Sequence, residues 1–285
     1  MGLKSRIKRM VNKLKKEVKT PIYIPAFSGM FLENKTVLIT GGTGGIGYAI
    51  AERCLENGAS IIITGRDKDK LYEAIERLNQ KKLSEEQSVV PMLLDLKKIK
   101  TIRTAINKVM DTYSIQKMDI LINNAGISCG QAIGKTTEED FDNVLATNMK
   151  GTYFISQEFS NYLIENNIQG NILNISSVSG IRPVITPYML SKWGVTGLTE
   201  GLAKKLIKYG IVVNGIAPGP TATEMLSLDG NDLYYEKSPA TRYVDPVEVA
   251  NLAVFMVSDM GRMIVGDTVY ITGGCGNLTM DDISY

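Results

Sequence analysis

Thr36-Val37-Leu38-Ile39-Thr40-Gly41-Gly42-Thr43-Gly44-Gly45-Ile46-Gly47 is an apolar β-branched run that turns through glycines into a helical pattern. Such a turn lets backbone N–H groups at a helix N-terminus approach a pyrophosphate. Two registers fit. Gly42, Gly44 and Gly47 spell GxGxxG, while Gly41, Gly45 and Gly47 spell TGxxxGxG. In a strand–loop–helix context either one marks a nucleotide site.

Outward from this stretch the same grammar recurs. Strands are expected at Thr36–Thr40, Ser60–Thr64, Val89–Leu94, Ile120–Asn123, Asn171–Ser176, Ile211–Ala217 and Thr268–Thr272. Their apolar runs are continuous, as in strands buried on both faces. Helical patterns such as Ile46–Asn57, Asp69–Leu83 and Thr186–Tyr209 fill the gaps. The fold class is therefore α/β, a doubly wound parallel Rossmann-type sheet of about seven strands in one domain. Ligands on such sheets bind beyond the carboxyl ends of the strands, so the residues there carry the argument.

The second strand ends in Gly65-Arg66. An acidic residue at this point would grip the ribose hydroxyls of NAD. Glycine stands there instead, and a guanidinium follows that can stack on adenine and pair with a 2′-phosphate. NADP(H) is thus favoured over NAD(H). The competing reading leaves Arg66 on the surface and gives the ribose to Asp67. After the third strand comes Asp95-Leu96, and after the fourth Asn123-Asn124-Ala125-Gly126. Asn148 falls in an expected helical stretch, Val144–Ile155, where a polar side chain on an inward face needs a partner. Tyr188 and Lys192 lie one turn apart on a helix face, and an ammonium there favours an ionised phenol. The chain has no histidine, so acid–base chemistry must use another group.

Taken in order, Thr40-Gly41-x-x-x-Gly45-x-Gly47, Asp95, Asn123-Asn124-Ala125-Gly126, Asn148, Ser177, Tyr188-x-x-x-Lys192 and Pro218-Gly219 resemble the short-chain dehydrogenase/reductase family in its compact single-domain branch. The resemblance covers about residues 33–276. It implies an oxidoreductase that interconverts a carbonyl and a secondary alcohol by hydride transfer, acting as a reductase. Tyr188 would exchange the proton, and Lys192 would lower the tyrosine pKa and bind ribose. Ser177 would orient the carbonyl, with Ser176 as competitor for that role, and Asn148 would hold a relay water. Cofactor contacts would come from Gly41, Thr43, Gly45, Ile46, Gly47, Arg66, Asp95, Leu96, Asn124, Ala125, Gly126, Tyr188, Lys192, Pro218, Gly219, Thr221 and Thr223. A 3-oxoacyl thioester or a keto-sugar is the expected substrate class. The alternatives are an NAD-linked alcohol dehydrogenase and a non-catalytic dinucleotide-binding scaffold. Ser177 and Tyr188 are eleven apart, closer than in many members, so the loop between them is short. Met225 through Pro239 reads as an apolar substrate lid without a basic cluster. Family interfaces imply a homodimer or homotetramer, with Trp193 packing a helix.

Net charge is +2, which gives no case for nucleic acid. Cys54, Cys129 and Cys275 are too scattered for a disulfide framework or a metal site, and fit the cytoplasm. Residues 1–30 read as an extension ahead of a catalytic domain at 31–285. The first twenty hold eight Lys/Arg against one Glu, with Leu3, Ile7, Met10, Val11, Leu14 and Val18 at helical spacing. Three readings compete for this basic amphipathic helix: docking on the enzyme or a neighbouring subunit, peripheral contact with the inner face of an anionic membrane, or a free arm for an acidic partner.

Overall fold

The structure, a computed structural model, describes residues 30–223, 225 and 233–276. The expectations for residues 1–29 lie outside the described residues, as does the part of the lid at 226–232.

Seven strands form one parallel sheet: β1 Thr36–Ile39, β2 Ser60–Gly65, β3 Val89–Leu93, β4 Ile120–Asn123, β5 Asn171–Ile175, β6 Val212–Pro218 and β7 Thr268–Ile271. Their order is β3-β2-β1-β4-β5-β6-β7, every pair parallel. The helices are α1 Gly45–Leu55, α2 Lys68–Asn79, α3 Ile102–Thr112, α4 Glu138–Leu145, α5 Thr152–Glu165, α6 Pro187–Leu206 and α7 Pro246–Val257. The chain winds outward from β1 to β3, then crosses back to β4 on the other side of β1. Between β1 and β4 the following loops part, and the ligand crevice opens there.

Successive strand residues explain the continuous apolar runs. Val37, Ile39, Ile61, Ile63 and Ile122 join the core under α1, α2 and α7, whereas Leu38, Ile62, Leu121 and Ile172 join the core under α3, α5 and α6. Both faces are dry, so most strand positions carry apolar side chains, and buried Asn123 and Asn174 bond each other at 2.8 Å. Each buried Ile or Leu contributes roughly 1.5–3 kcal/mol relative to exposure, which outweighs any strand propensity.

Two helical expectations need correction. The stretch Val144–Ile155 is not one helix, because a π-helical turn at Ala146–Gly151 separates α4 from α5. Its cause is local. The Asn148 side chain accepts from Ile127 N at 2.8 Å and donates to Ile127 O at 2.9 Å, which draws the turn toward β4. Gly151 lets it seat on Leu96, since a Cβ would come within 2.7 Å of the Leu96 Cβ. Such turns recur at functional sites. The stretch Thr186–Tyr209 ends its α-helix at Leu206, and a 3-10 turn over Ile207–Tyr209 is closed by Gly210 at φ 72°.

Candidate active site

The glycine turn is held from the side by Asn124. Its Nδ2 donates to Thr40 O at 3.1 Å and Gly41 O at 3.0 Å, while Asn124 N and Ala125 N both donate to Thr40 Oγ1 at 3.0 Å. The end of β4 therefore fixes the shape of the loop after β1. Gly41 takes φ +66°, and a Cβ on it would come within 2.9 Å of Ala125 Cα. Gly44 faces open space. A cleft of about 730 Å³ runs from this turn along the sheet edge.

All of the cofactor contacts expected from the sequence line this cleft except Gly47, which lies beneath the turn. A Cβ on Gly47 would collide with Gly41 O and Asn124 Nδ2. At one end stand Arg66, Asp95 and Leu96, with the Asp95 carboxylate accepting from Lys97 N at 3.0 Å. Gly65 is required there, since a Cβ would come within 2.8 Å of Thr43 Cγ2. Asp67 is committed elsewhere, as the N-cap of α2, accepting from Lys70 N. Further along, Gly219 follows β6 and donates to Ile271 O at 2.9 Å, and Thr221 Oγ1 donates back to Gly219 O at 2.9 Å. Thr223 adjoins Gly45, whose φ is +53°.

Tyr188 and Lys192 come from the first turns of α6, which Thr186 caps by accepting from Met189 N at 3.1 Å. The Ser177 side chain lies beside the Tyr188 phenol. Of the two serines after β5, Ser177 thus meets the tyrosine. Ser176 is spent on the scaffold: its hydroxyl donates to Lys192 O at 3.1 Å and pairs with Thr196 Oγ1 at 2.9 Å. Lys192 is buried, and its Nζ donates to Ile175 O at 2.7 Å. Asn148 Nδ2 also reaches Ser191 Oγ at 3.1 Å, and Ser191 in turn donates to Tyr188 O at 2.7 Å.

The expected lowering of the Tyr188 pKa by Lys192 does not hold in this structure. Burial pushes the phenol above its ordinary 10.0, and the nearby Ser177 hydroxyl offsets only part of that. Lys192 is itself pushed down to about 8 by burial. Its ammonium, 5.7 Å from the Tyr188 ring centroid, is engaged by a carbonyl. At neutral pH the phenol is therefore protonated.

The Lys192 shift has a sign that can be measured. Between about pH 8 and 10.5 the unfolded chain binds a proton that folded Lys192 has lost, so its linkage makes stability rise with pH there. Tyr188 opposes this above about pH 10, and Cys54, pushed up to about 12 by burial, opposes it from about pH 9. Urea unfolding of the ligand-free protein should therefore show, between about pH 8 and 10, a more positive slope of stability with pH in wild type than in Lys192→Met. Equal slopes in the two proteins would contradict the shift.

Sequence reasoning missed several groups. Thr147 lines the cleft with a buried hydroxyl that has no partner among the described residues. Thr40 and Ser191 position other residues through hydroxyls whose direction only the fold reveals. Arg182 lines the same cleft from the short loop before α6. Trp193 donates its indole N–H to Arg182 O at 2.7 Å. In the described part of the lid, Tyr235 stacks on Tyr243 with centroids 4.5 Å apart. Among the described residues no helix is long and apolar enough to cross a membrane.

The residues present fit a dinucleotide. Left-handed glycines and an open Gly44 leave the turn bare of side chains, and the cleft is large enough. The orphaned Thr147 hydroxyl supplies a polar group without a protein partner.

Comparison with known proteins bears on the same residues. The family model described as short chain dehydrogenase matches residues 35–232. The 3-oxoacyl-(acyl-carrier-protein) reductase of Thermotoga maritima is 35% identical over 253 residues, 86% of this chain and 99% of that one. Its counterpart in Aquifex aeolicus is 33% identical over 250 residues, 85% and 98% of the two chains. The crystal structure of a gluconate 5-dehydrogenase from Burkholderia cenocepacia, in complex with NADP and tartrate, superposes with a TM-score of 0.78. That protein is 28% identical, and the match covers 88% of this chain and 98% of it.

Proposed function

The chain belongs to the short-chain dehydrogenase family, and from that premise we propose that it is an NADP(H)-dependent reductase that turns a ketone into a secondary alcohol. Membership makes it an oxidoreductase acting on CH–OH and C=O groups. The observation that carries the finer reading is the placement of Ser177 beside the Tyr188 phenol, in one cleft with Lys192 and the glycine turn.

The cofactor would lie along the glycine turn, Asn124-Ala125-Gly126 and Pro218-Gly219, with Lys192 at its nicotinamide ribose and Thr221 and Thr223 at its amide end. When bound, it supplies the hydride that the carbonyl carbon receives. Ser177 and Tyr188 form a donor pair aimed at the substrate oxygen, where negative charge develops. Tyr188 passes its proton to that oxygen. Its raised pKa favours reduction, because donation needs the neutral phenol. Lys192 stands behind the tyrosine as the group that restores the proton. The Asn148 side chain is consumed by Ile127 and Ser191, so a relay water would sit on its main-chain carbonyl, which also accepts from Thr152 Oγ1. An intact set of these residues speaks against a non-catalytic scaffold.

The choice of NADP(H) rests on Arg66, which lines the cleft without a side-chain partner among the described residues, and on the exclusion of an acidic residue at Gly65 by Thr43. The NADP complex of the gluconate 5-dehydrogenase is consistent with it. Asp67, as a helix cap, is poorly placed to take the ribose in the NAD manner.

The 3-oxoacyl thioesters and keto-sugar acids of the relatives are the substrates to try first. The test is NADPH oxidation across both classes, with wild type and Arg66→Ala side by side. Arg66→Ala should weaken NADPH binding about tenfold or more, as expected for loss of a charge-assisted phosphate pair, and leave NADH unchanged. Equal effects on both cofactors would overturn the NADP assignment. Absence of turnover with every carbonyl would overturn the reductase reading. Exposed Met149, Tyr153, Leu190 and Trp193 support assembly into a dimer or tetramer through that face.

A further inference from the structure

Every described arginine but two has a side-chain partner. Arg53 pairs with Glu56, Arg103 with Glu158 and Arg242 with Glu248, while Arg262 bonds Gln169 and Arg77 lies over the Tyr48 ring. Arg66 and Arg182 have no hydrogen-bonded or ion-paired side-chain partner among the described residues, and both line the one cleft. Arg66 stands at the end with Asp95 and Leu96. Arg182 belongs to the other end, on the loop that carries Ser177, Val178 and Ser179 into the cleft wall and then leads to Tyr188.

This placement is built. Arg182 is an exposed residue of the loop between Ser177 and Tyr188. Its carbonyl is tied to α6 by the Trp193 indole at 2.7 Å, one residue beyond Lys192. Its guanidinium lies where a side chain on Gly276 would be, and Gly276, at φ +82°, carries none. A planar fork of five N–H donors thus stands at the substrate end of a cleft, with no anion to satisfy it among the described residues. Among the described residues that line this end, Arg182 is the cation offered to a substrate besides Lys192, whose Nζ already donates to Ile175 O.

Resting on the reductase reading, we propose that Arg182 binds a carboxylate on the substrate, so that the enzyme selects a keto acid over a neutral ketone. The fork matches two carboxylate oxygens, and such a pair both anchors the substrate and sets which carbonyl reaches Ser177 and Tyr188. Arg182 is a specificity residue here. It neither donates nor takes the transferred proton.

The test compares 5-ketogluconate, fructose and fructose 6-phosphate with wild type, Arg182→Gln and Arg182→Lys, and measures tartrate binding to each protein–NADPH complex by calorimetry. The expected result is a preference of wild type for 5-ketogluconate. In Arg182→Gln its KM should rise about tenfold or more while that for fructose holds, with partial recovery in Arg182→Lys. Tartrate binding should weaken in parallel. Equal KM changes for the acid and the neutral ketose, or no preference in wild type, would overturn the proposal. Preference for the phosphate ester would overturn the carboxylate assignment. If no carbonyl is reduced, tartrate binding decides: a loss in Arg182→Gln sustains the anion site while the reductase reading falls, and unchanged binding removes the site as well.

Discussion

Tyr188→Phe should lower turnover by a factor of order 10² or more, while NADPH binding and stability stay close to wild type. The size of the effect follows from what else the cleft contains. The chain has no histidine. Among the described residues, the ionisable groups that line the cleft are Arg66, Asp95, Arg182, Tyr188 and Lys192. Arginine does not release a proton in this range, and Asp95 lies at the far end beside Leu96. Lys192 Nζ is held by Ile175 O. None of these other groups replaces the phenol at the substrate oxygen. The change removes one hydroxyl that lies beside Ser177, so the stability change should stay within about 1 kcal/mol. Stopped assays of NADPH consumption, with cofactor titration on the same preparation, check both halves. Turnover near wild type would remove Tyr188 from the chemistry.

Gly47→Ala should be the most damaging conservative change in the glycine turn. The added methyl would collide with Gly41 O and with Asn124 Nδ2. The first is backbone. The second belongs to the side chain that bonds Thr40 O and Gly41 O. Neither can move without opening the turn that β4 holds in place. Overpacking of this kind costs about 1–3 kcal/mol. For a domain of this size that is a fall of several degrees in Tm, at about 2–4 °C per kcal/mol. NADPH affinity should fall about tenfold or more, because the turn presents its N–H groups as a set. Gly44→Ala makes the contrast, since no atom lies within 4 Å of its added methyl. Equal melting temperatures for Gly47→Ala and wild type would show that the turn can yield.

The sheet was legible because its strands are buried on both faces. Every run of β-branched residues after a helical stretch became a strand, with ends shifted by about a residue. The glycine turn, the Ser177 position and the Tyr188/Lys192 pair were legible because they depend on short spacing along one element. Three things were not. The π-turn at Ala146–Gly151 comes from Asn148 bonding Ile127, a residue 21 positions away. The Tyr188 pKa runs opposite to expectation because desolvation depends on everything packed around the phenol, whereas sequence shows only the lysine. Arg182 looks like an ordinary loop residue until the fold brings its loop into the cleft wall, with no side-chain partner for the guanidinium among the described residues. Local spacing writes the chemistry of this site, and long-range packing writes its electrostatics and its selectivity.

Hydride transfer to a carbonyl, with Tyr188 supplying the proton, is tested by reducing a keto substrate with NADPH that carries deuterium at both C4 positions and taking the mass spectrum of the alcohol. One cofactor deuterium should appear on the carbinol carbon for each NADPH oxidised, at a rate that falls by a factor of order 10² in Tyr188→Phe. Alcohol formed without cofactor deuterium, or formed equally fast by Tyr188→Phe, would contradict it.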